Sequence, residues 1–180
     1  MQKTEGCVLC LGFFDGLHLG HQALLKAGRR AADGLGLPLC AHTFDRSPFK
    51  QALTTLEERT ALLKAFGADQ VHVTVFDETV RCMTGEDFFH SVMVGELHAA
   101  YIICGADHRF GHQGKWDAAA LKEMCRAAGI GFETLDAVCM EGEKVSSSAI
   151  RRALQTGNEA KAERLLGRKV PARWKQVMET

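Results

Sequence analysis

The sequence predicts an α/β fold, with a parallel sheet of about five strands and helices on both of its faces. Three observations predict it. Short apolar runs alternate with helical patterns of about 10 to 15 residues, the mark of repeated βαβ units. The first run, residues 7–13, is apolar throughout and stops near Asp15-Gly16, as a buried strand does at a turn. The chain has 180 residues, 46% hydrophobic and 24% charged, which suits one ordinary globular domain with a sizeable core.

Each element follows in order. Residues 19–32 place Leu24, Leu25, Ala27 and Ala31 at helical spacing, and the Gly-rich stretch at 34–38 stops them. Residues 39–44 read as the second strand, and 45–50 as a loop carrying Pro48. The helix over 53–68 opens with Thr54 or Thr55, has Glu57 and Glu58 in its first turn, and ends at Gly67. A third strand at 70–76 and a helix at 84–97, capped by Thr84, come next. The fourth strand, 99–105, runs into a polar Gly-rich loop at 105–117. A helix at 117–130 and a fifth strand at 131–138 follow. Two helices, 146–158 and 158–168, precede a tail at 169–180. In such a sheet ligands sit beyond the carboxyl ends of the strands, where the strand order reverses.

Composition excludes several functions. Lys+Arg and Asp+Glu number 22 each, so the chain lacks the basic excess needed for a general grip on nucleic acid or an anionic membrane. No run reaches the ~18 apolar residues of a membrane helix. The apolar stretch Cys7 to Phe14 is too short for a signal peptide and has no small-residue cleavage site after it. Seven scattered cysteines, an odd number, do not form a disulfide framework. Cys7 and Cys10 are three apart in a strand and so face opposite sides; with no second Cys-x-x-Cys, they read as core rather than as metal ligands. The expectation is a reduced, cytoplasmic protein without a dedicated metal-ligand set. His72, His90 and His98 lack paired ligands. Trp116 is a candidate for a pocket wall, and Trp174 for packing on the domain or on a partner.

Two stretches carry chemistry. His18 and His21 follow the first strand and open a helix, with Gly20 between them. A helix start offers unpaired N–H groups and partial positive charge, which suit phosphate. The imidazoles add donors, and Gly20 removes a Cβ that would crowd an anion. After the fifth strand, Ser146, Ser147 and Ser148 open a second helix, with Arg151 within one turn. Either stretch alone also fits an ordinary helix cap with solvated side chains. Together in one parallel-sheet domain they point to a polyphosphate ligand. The chain has no Gly-x-x-x-x-Gly-Lys-Ser/Thr run, no Gly-x-Gly-x-x-Gly after the first strand and no Gly-x-Ser-x-Gly elbow.

His18-Leu19-Gly20-His21 resembles the His-x-Gly-His signature of the nucleotidylyltransferase superfamily. The wider set, "GFFDGLHLGHQALL", "HTFDRSP", "LTTLEERTALL", "GADHRFG" and "VSSSAIRRALQTGNEAKAERLLGR", resembles the adenylyltransferase module of prokaryotic FAD synthetases, the bifunctional riboflavin kinase/FMN adenylyltransferases. The resemblance spans nearly all of residues 7–168. It implies a Rossmann-like nucleotidylyltransferase domain over 1–168 that transfers AMP from ATP, with Mg²⁺, to FMN, giving FAD and pyrophosphate. It implies catalytic roles for His18, His21, Ser147 and Arg151. ATP or phosphate would be held by Gly12, Phe13, Asp15, Gly16, Gly20, Gly105, Asp107, Ser146 and Ser148, and the flavin by Asp45, Pro48, Phe110 and Gly111.

The chain departs from that pattern in three places. Arg46-Ser47-Pro48 stands where the family usually has Pro-His-Pro, and His108 where it commonly has phenylalanine. After Leu166-Gly167-Arg168 only a dozen residues follow, where the family leads into a riboflavin kinase barrel. The chain is therefore expected not to phosphorylate riboflavin, and to receive FMN from a separate kinase. Two alternatives stay open: the same chemistry on another phosphorylated acceptor, and a non-catalytic module that binds flavin or nucleotide.

Overall fold

The computed structural model describes residues 6–46 and 52–174. In chain order, β1 (Cys7–Leu11) leads through a 3-10 turn (Asp15–Leu17) to α1 (Leu19–Leu35), β2 (Leu39–Phe44), α2 (Leu56–Ala65) and β3 (Gln70–Thr74). Two short helices follow, α3 (Glu78–Cys82) and α4 (Gly85–Phe88), the second continuing as a π-helical segment (Phe89–Glu96). Next are β4 (Ala99–Gly105), a ribbon of β5 (Arg109–Phe110) with β6 (Trp116–Asp117), α5 (Ala118–Ala128) and β7 (Gly131–Leu135). A second ribbon, β8 (Cys139–Met140) with β9 (Glu143–Lys144), precedes α6 (Ser147–Gln155) and α7 (Glu159–Leu166).

Five strands form one sheet in the order β3-β2-β1-β4-β7, and every pairing in it is parallel. Each strand expected from sequence is present. The helices begin where their caps are: Thr55 and Glu58 exchange the reciprocal bonds of a capping box at α2, and Asp117 accepts from Ala120 N–H at 2.9 Å to start α5. Gly36, Gly129 and Gly167 end α1, α5 and α7 in left-handed conformation. Three features differ from the sequence expectation. The helix over 84–97 widens into π geometry from Phe89. Helix α3 rests on an Asp77 cap and buries no residue, so no apolar period announces it. The two ribbons have two-residue strands, too short for a period-two pattern.

Alternation along the strands builds a core on each face of the sheet. Cys7, Leu9 and Leu11 face α4, its π extension and α5, through Phe88, Phe89, Met93, Leu121 and Cys125. Val8 and Cys10 face α1 and the end of α2, through Leu24, Leu25 and Leu63. Cys7 and Cys10 therefore lie on opposite faces, as their spacing requires. A third cluster joins Leu53, Val145, α6, α7 and the stretch expected to be a tail, of which Val170 and Trp174 are buried. Trp174 packs on the domain itself. Among the described residues, no helix is long and apolar enough to cross a membrane.

Candidate active-site cleft

The strand order reverses between β1 and β4: β2 and β3 extend the sheet to one side, β7 to the other. A cleft of about 450 Å³ opens there, beyond the carboxyl ends, walled by Gly12 after β1, Gly105 at β4 and Leu135 at β7. Helices α1 and α6 both begin at this cleft.

His18 is the N-cap of α1, its Nδ1 accepting from the His21 main-chain N–H at 3.4 Å. The two rings stack with centroids 3.6 Å apart and planes 18° from parallel, and Phe14 stands edge-on to His21 at 5.2 Å. Burial pushes the His18 imidazole down to about 4, and burial with the neighbouring His18 holds His21 well below the usual range. Both rings are thus neutral near pH 7. His21 Nδ1 is buried and has no hydrogen-bond partner among the described residues. A Cβ on Gly20 would stand 3.1 Å from the His18 ring, so glycine here makes room for the imidazole as well as for a ligand. Phe13 also lines the cleft, its ring backed by the Arg59 guanidinium at 4.4 Å.

The start of α6 forms the opposite wall. Ser146, Ser147, Ser148 and Arg151 all line the cleft, but their groups are differently engaged. Ser146 Oγ caps the helix, accepting from Ala149 N–H at 3.1 Å. Ser147 Oγ donates to the Asp15 main-chain carbonyl at 2.7 Å. Arg151 Nη1 donates to Asp15 Oδ2 at 2.9 Å, both side chains being buried. Ser148 is exposed to the cleft. The Asp15 carboxylate is thereby filled by protein donors, and the Ser147 hydroxyl is bonded to the backbone.

Asp107 stands across from Lys144, with which it forms an ion pair that holds its carboxyl below the usual carboxylate range. Lys144, Asp136 and Arg109 line the cleft and were not singled out from sequence. Lys144 had one available signal, its place two residues before the serine run. His108 also lines the wall; burial lowers its imidazole to about 4, and its Nε2 is buried without a partner among the described residues.

Other expected residues lie outside the cleft lining. Gly16 is buried behind it, donating to Thr54 Oγ1 at 3.3 Å. Asp45 accepts from Phe76 N–H at 2.7 Å, and Phe110 belongs to the core facing α4. A Cβ on Gly111 would stand 2.6 Å from Gly85 N, and Trp116 packs against both glycines instead of lining the cleft. Pro48 lies outside the described residues. No group of three or more His, Cys, Asp or Glu is arranged to hold a metal among the described residues.

The family model for FAD synthetase matches residues 1–149. The chain belongs to the FAD synthetase family. Its relatives include the bifunctional riboflavin kinase/FMN adenylyltransferases of Haemophilus influenzae, 32% identical over 172 residues (91% of this chain, 56% of that protein), and Escherichia coli, 33% identical over 171 residues (91% and 55%). The chain spans about half the length of these curated relatives. Among solved structures, a Streptococcus pneumoniae protein described as a macrolide-efflux protein matches with a TM-score of 0.83 at 29% identity, over 93% of this chain and 58% of that one. Thermotoga maritima TmcAL, crystallised with alpha-thio ATP, matches with a TM-score of 0.57 at 12% identity, over 97% of this chain and 55% of that one; this likeness is one of fold. The family model covers β1, the histidine pair and the first residues of α6, so the FAD synthetase match includes both helix starts at the cleft.

Proposed function

We propose that this chain is an FMN adenylyltransferase: it transfers AMP from ATP to FMN, forming FAD and releasing pyrophosphate. The observation that carries the reading is that two helix starts, one with His18 and His21 and one with Ser148 and Arg151, line one cleft at the switch point of a FAD synthetase sheet.

In this reading an oxygen of the FMN phosphate attacks the α-phosphorus of ATP in line. A new P–O bond forms as the bond from the α-phosphorus to the bridging oxygen breaks, and pyrophosphate leaves with that electron pair. No covalent enzyme intermediate is needed, so catalysis is positioning plus stabilisation of charge. Neutral His18 and His21 donate N–H bonds to phosphate oxygens from a site shielded from water, while the unpaired N–H groups at the start of α1 face the same anion. Arg151 and Ser148 take the oxygens at the opposite wall.

Magnesium fits this site as a companion of the nucleotide. Of the cleft carboxylates, Asp15 and Asp107 are already paired with Arg151 and Lys144, so the ion's ligands would be phosphate oxygens and water, with Asp136 the one further carboxylate among the described lining residues. Bound there, it would neutralise phosphate charge. The seven cysteines are free thiols, which supports a cytoplasmic location, and FMN would come from a riboflavin kinase.

The test is incubation of the pure protein with ATP, Mg²⁺ and FMN, following FAD by chromatography and pyrophosphate by a coupled assay. Replacing His21 or Arg151 with alanine is expected to cut kcat/KM by about 100-fold or more while the far-ultraviolet spectrum is unchanged. Unchanged turnover in both variants removes these residues from the mechanism. A second reading keeps the chemistry and changes the acceptor. It is favoured by the positions of Asp45, Phe110 and Gly111 outside the cleft lining. A panel of phosphorylated acceptors, offered with ATP or CTP, separates the two. Nucleotide binding without pyrophosphate release would instead mark a non-catalytic module.

A further inference from the structure

Asp15 is 1% exposed, and a carboxylate so deeply buried persists only where donors replace water. Here they do. Oδ1 accepts from Thr54 N–H and Thr54 Oγ1, both at 2.9 Å. Oδ2 accepts from Leu53 N–H at 3.1 Å and from Arg151 Nη1 at 2.9 Å. These four bonds match the about four lone-pair sites of a carboxylate. The residue's own carbonyl accepts from Ser147 Oγ at 2.7 Å, one helical turn before Arg151. A side chain so occupied is not shaped to take a phosphate or to act as a base.

The backbone around it is strained. Phe14 and Leu17 have φ of 58° and 44°, in the left-handed region, and both are fully buried. Such conformations are costly and persist only where the surroundings over-determine them. The surroundings are the start of α6, the Leu53-Thr54 segment, and Arg168, whose Nη2 donates to the Gly16 carbonyl at 2.8 Å.

We propose that Asp15 is a positioning residue for the phosphate site: its carboxylate orients the Arg151 guanidinium and, with its carbonyl on Ser147, sets the start of α6 against the start of α1. The proposal rests on the reading that this cleft takes ATP, and it assigns Asp15 and Ser147 a task other than touching the nucleotide. Thr54, which does not line the cleft, becomes part of the same device through its two bonds to Oδ1.

The experiment is a pair of double-mutant cycles read by Mg-ATP affinity in titration calorimetry. Asp15→Asn keeps the size and loses the charge; it is expected to weaken Mg-ATP binding about tenfold or more, as does Arg151→Ala. In Asp15→Asn/Arg151→Ala the affinity is expected to be no weaker than in Arg151→Ala alone, because Asp15 acts through the arginine. Unchanged affinity in Asp15→Asn, or losses that add in full, overturns the proposal. Should Asp15→Asn fail to fold, the isosteric Thr54→Val decides. It is expected to weaken binding about threefold in the wild-type background and not at all beside Arg151→Ala; no effect in the first, or equal effects in both, overturns the proposal. FAD formation by the wild type is scored separately. Its absence with Mg-ATP binding intact overturns the acceptor reading alone. A wild type that binds no Mg-ATP overturns both.

Discussion

Two imidazoles stacked 3.6 Å apart cannot both carry charge in a water-poor site, and His18 and His21 are accordingly neutral near pH 7. A polyphosphate beside them offsets part of that burial, since its negative charge favours the imidazolium form and raises the lowered pKa values. Binding of ATP is therefore expected to take up protons, more at pH 5.5 than at pH 8. Calorimetry in two buffers of different ionisation enthalpy measures this, and equal apparent enthalpies at pH 5.5 would refute it. Stability follows the opposite logic. The folded His18 titrates near 4 and the unfolded one near 6.5, so between these values the unfolded chain binds more protons. His42 and His108, lowered by burial to about 3 and about 4, act in the same direction. The midpoint of thermal unfolding should fall as pH drops from about 6.5 toward 4; a melting curve that is flat over this range would contradict the burial. At this scale the sequence made the histidines and Arg151 legible, because a helix start after a strand shows its chemistry locally. The bonds of Asp15 and Ser147 were not legible, because residue type is visible and a partner 136 or 132 positions away is not.

Helix α1 shows how an element carries the cleft. Its stop at Gly36 and its apolar stripe were legible from spacing, and its seat on the sheet depends on Gly28. A Cβ there would stand 2.5 Å from Cys10 Sγ and 2.7 Å from Leu39 Cδ1. Gly28→Ala gains up to about 1 kcal/mol of helix propensity, but overpacking of this kind costs about 1–3 kcal/mol. Net destabilisation is expected in urea unfolding, with ATP affinity reduced as the helix start shifts; a more stable variant would show that the helix moves off the sheet at no cost. The central strands were legible for a physical reason: buried on both faces, they need apolar residues without a break. Helix α3 and the two ribbons were not, since they are short and lie on polar segments whose order comes from caps and neighbours. The π-helical turn after Phe88 has no sequence signal that we can identify.

At the scale of the whole molecule, the described residues form two cores on a sheet plus a third cluster that closes the site from behind. Trp174 is its largest buried side chain, 1% exposed, packed beside Leu53 and Val170 and under the Arg168 guanidinium. Trp174→Ala is expected to cost about 3–5 kcal/mol, read as a lower urea midpoint. Its effect on Mg-ATP affinity should be small where the fold persists. A midpoint within error of the wild type would place the indole outside the cooperative unit. The α/β class and strand count were legible from alternation along the chain. This third cluster was not, because it joins residues from the start, middle and end of the sequence.

The partners of the turn at Asp15-Gly16 come from positions 38, 132, 136 and 152 residues downstream. During synthesis, then, the strands nearest the amino terminus can collapse early, yet the anion pocket stays unfinished until the last helices have left the ribosome. A nascent chain arrested just after β7 would own all five strands of its sheet and both imidazoles, and still lack the far wall against which they face.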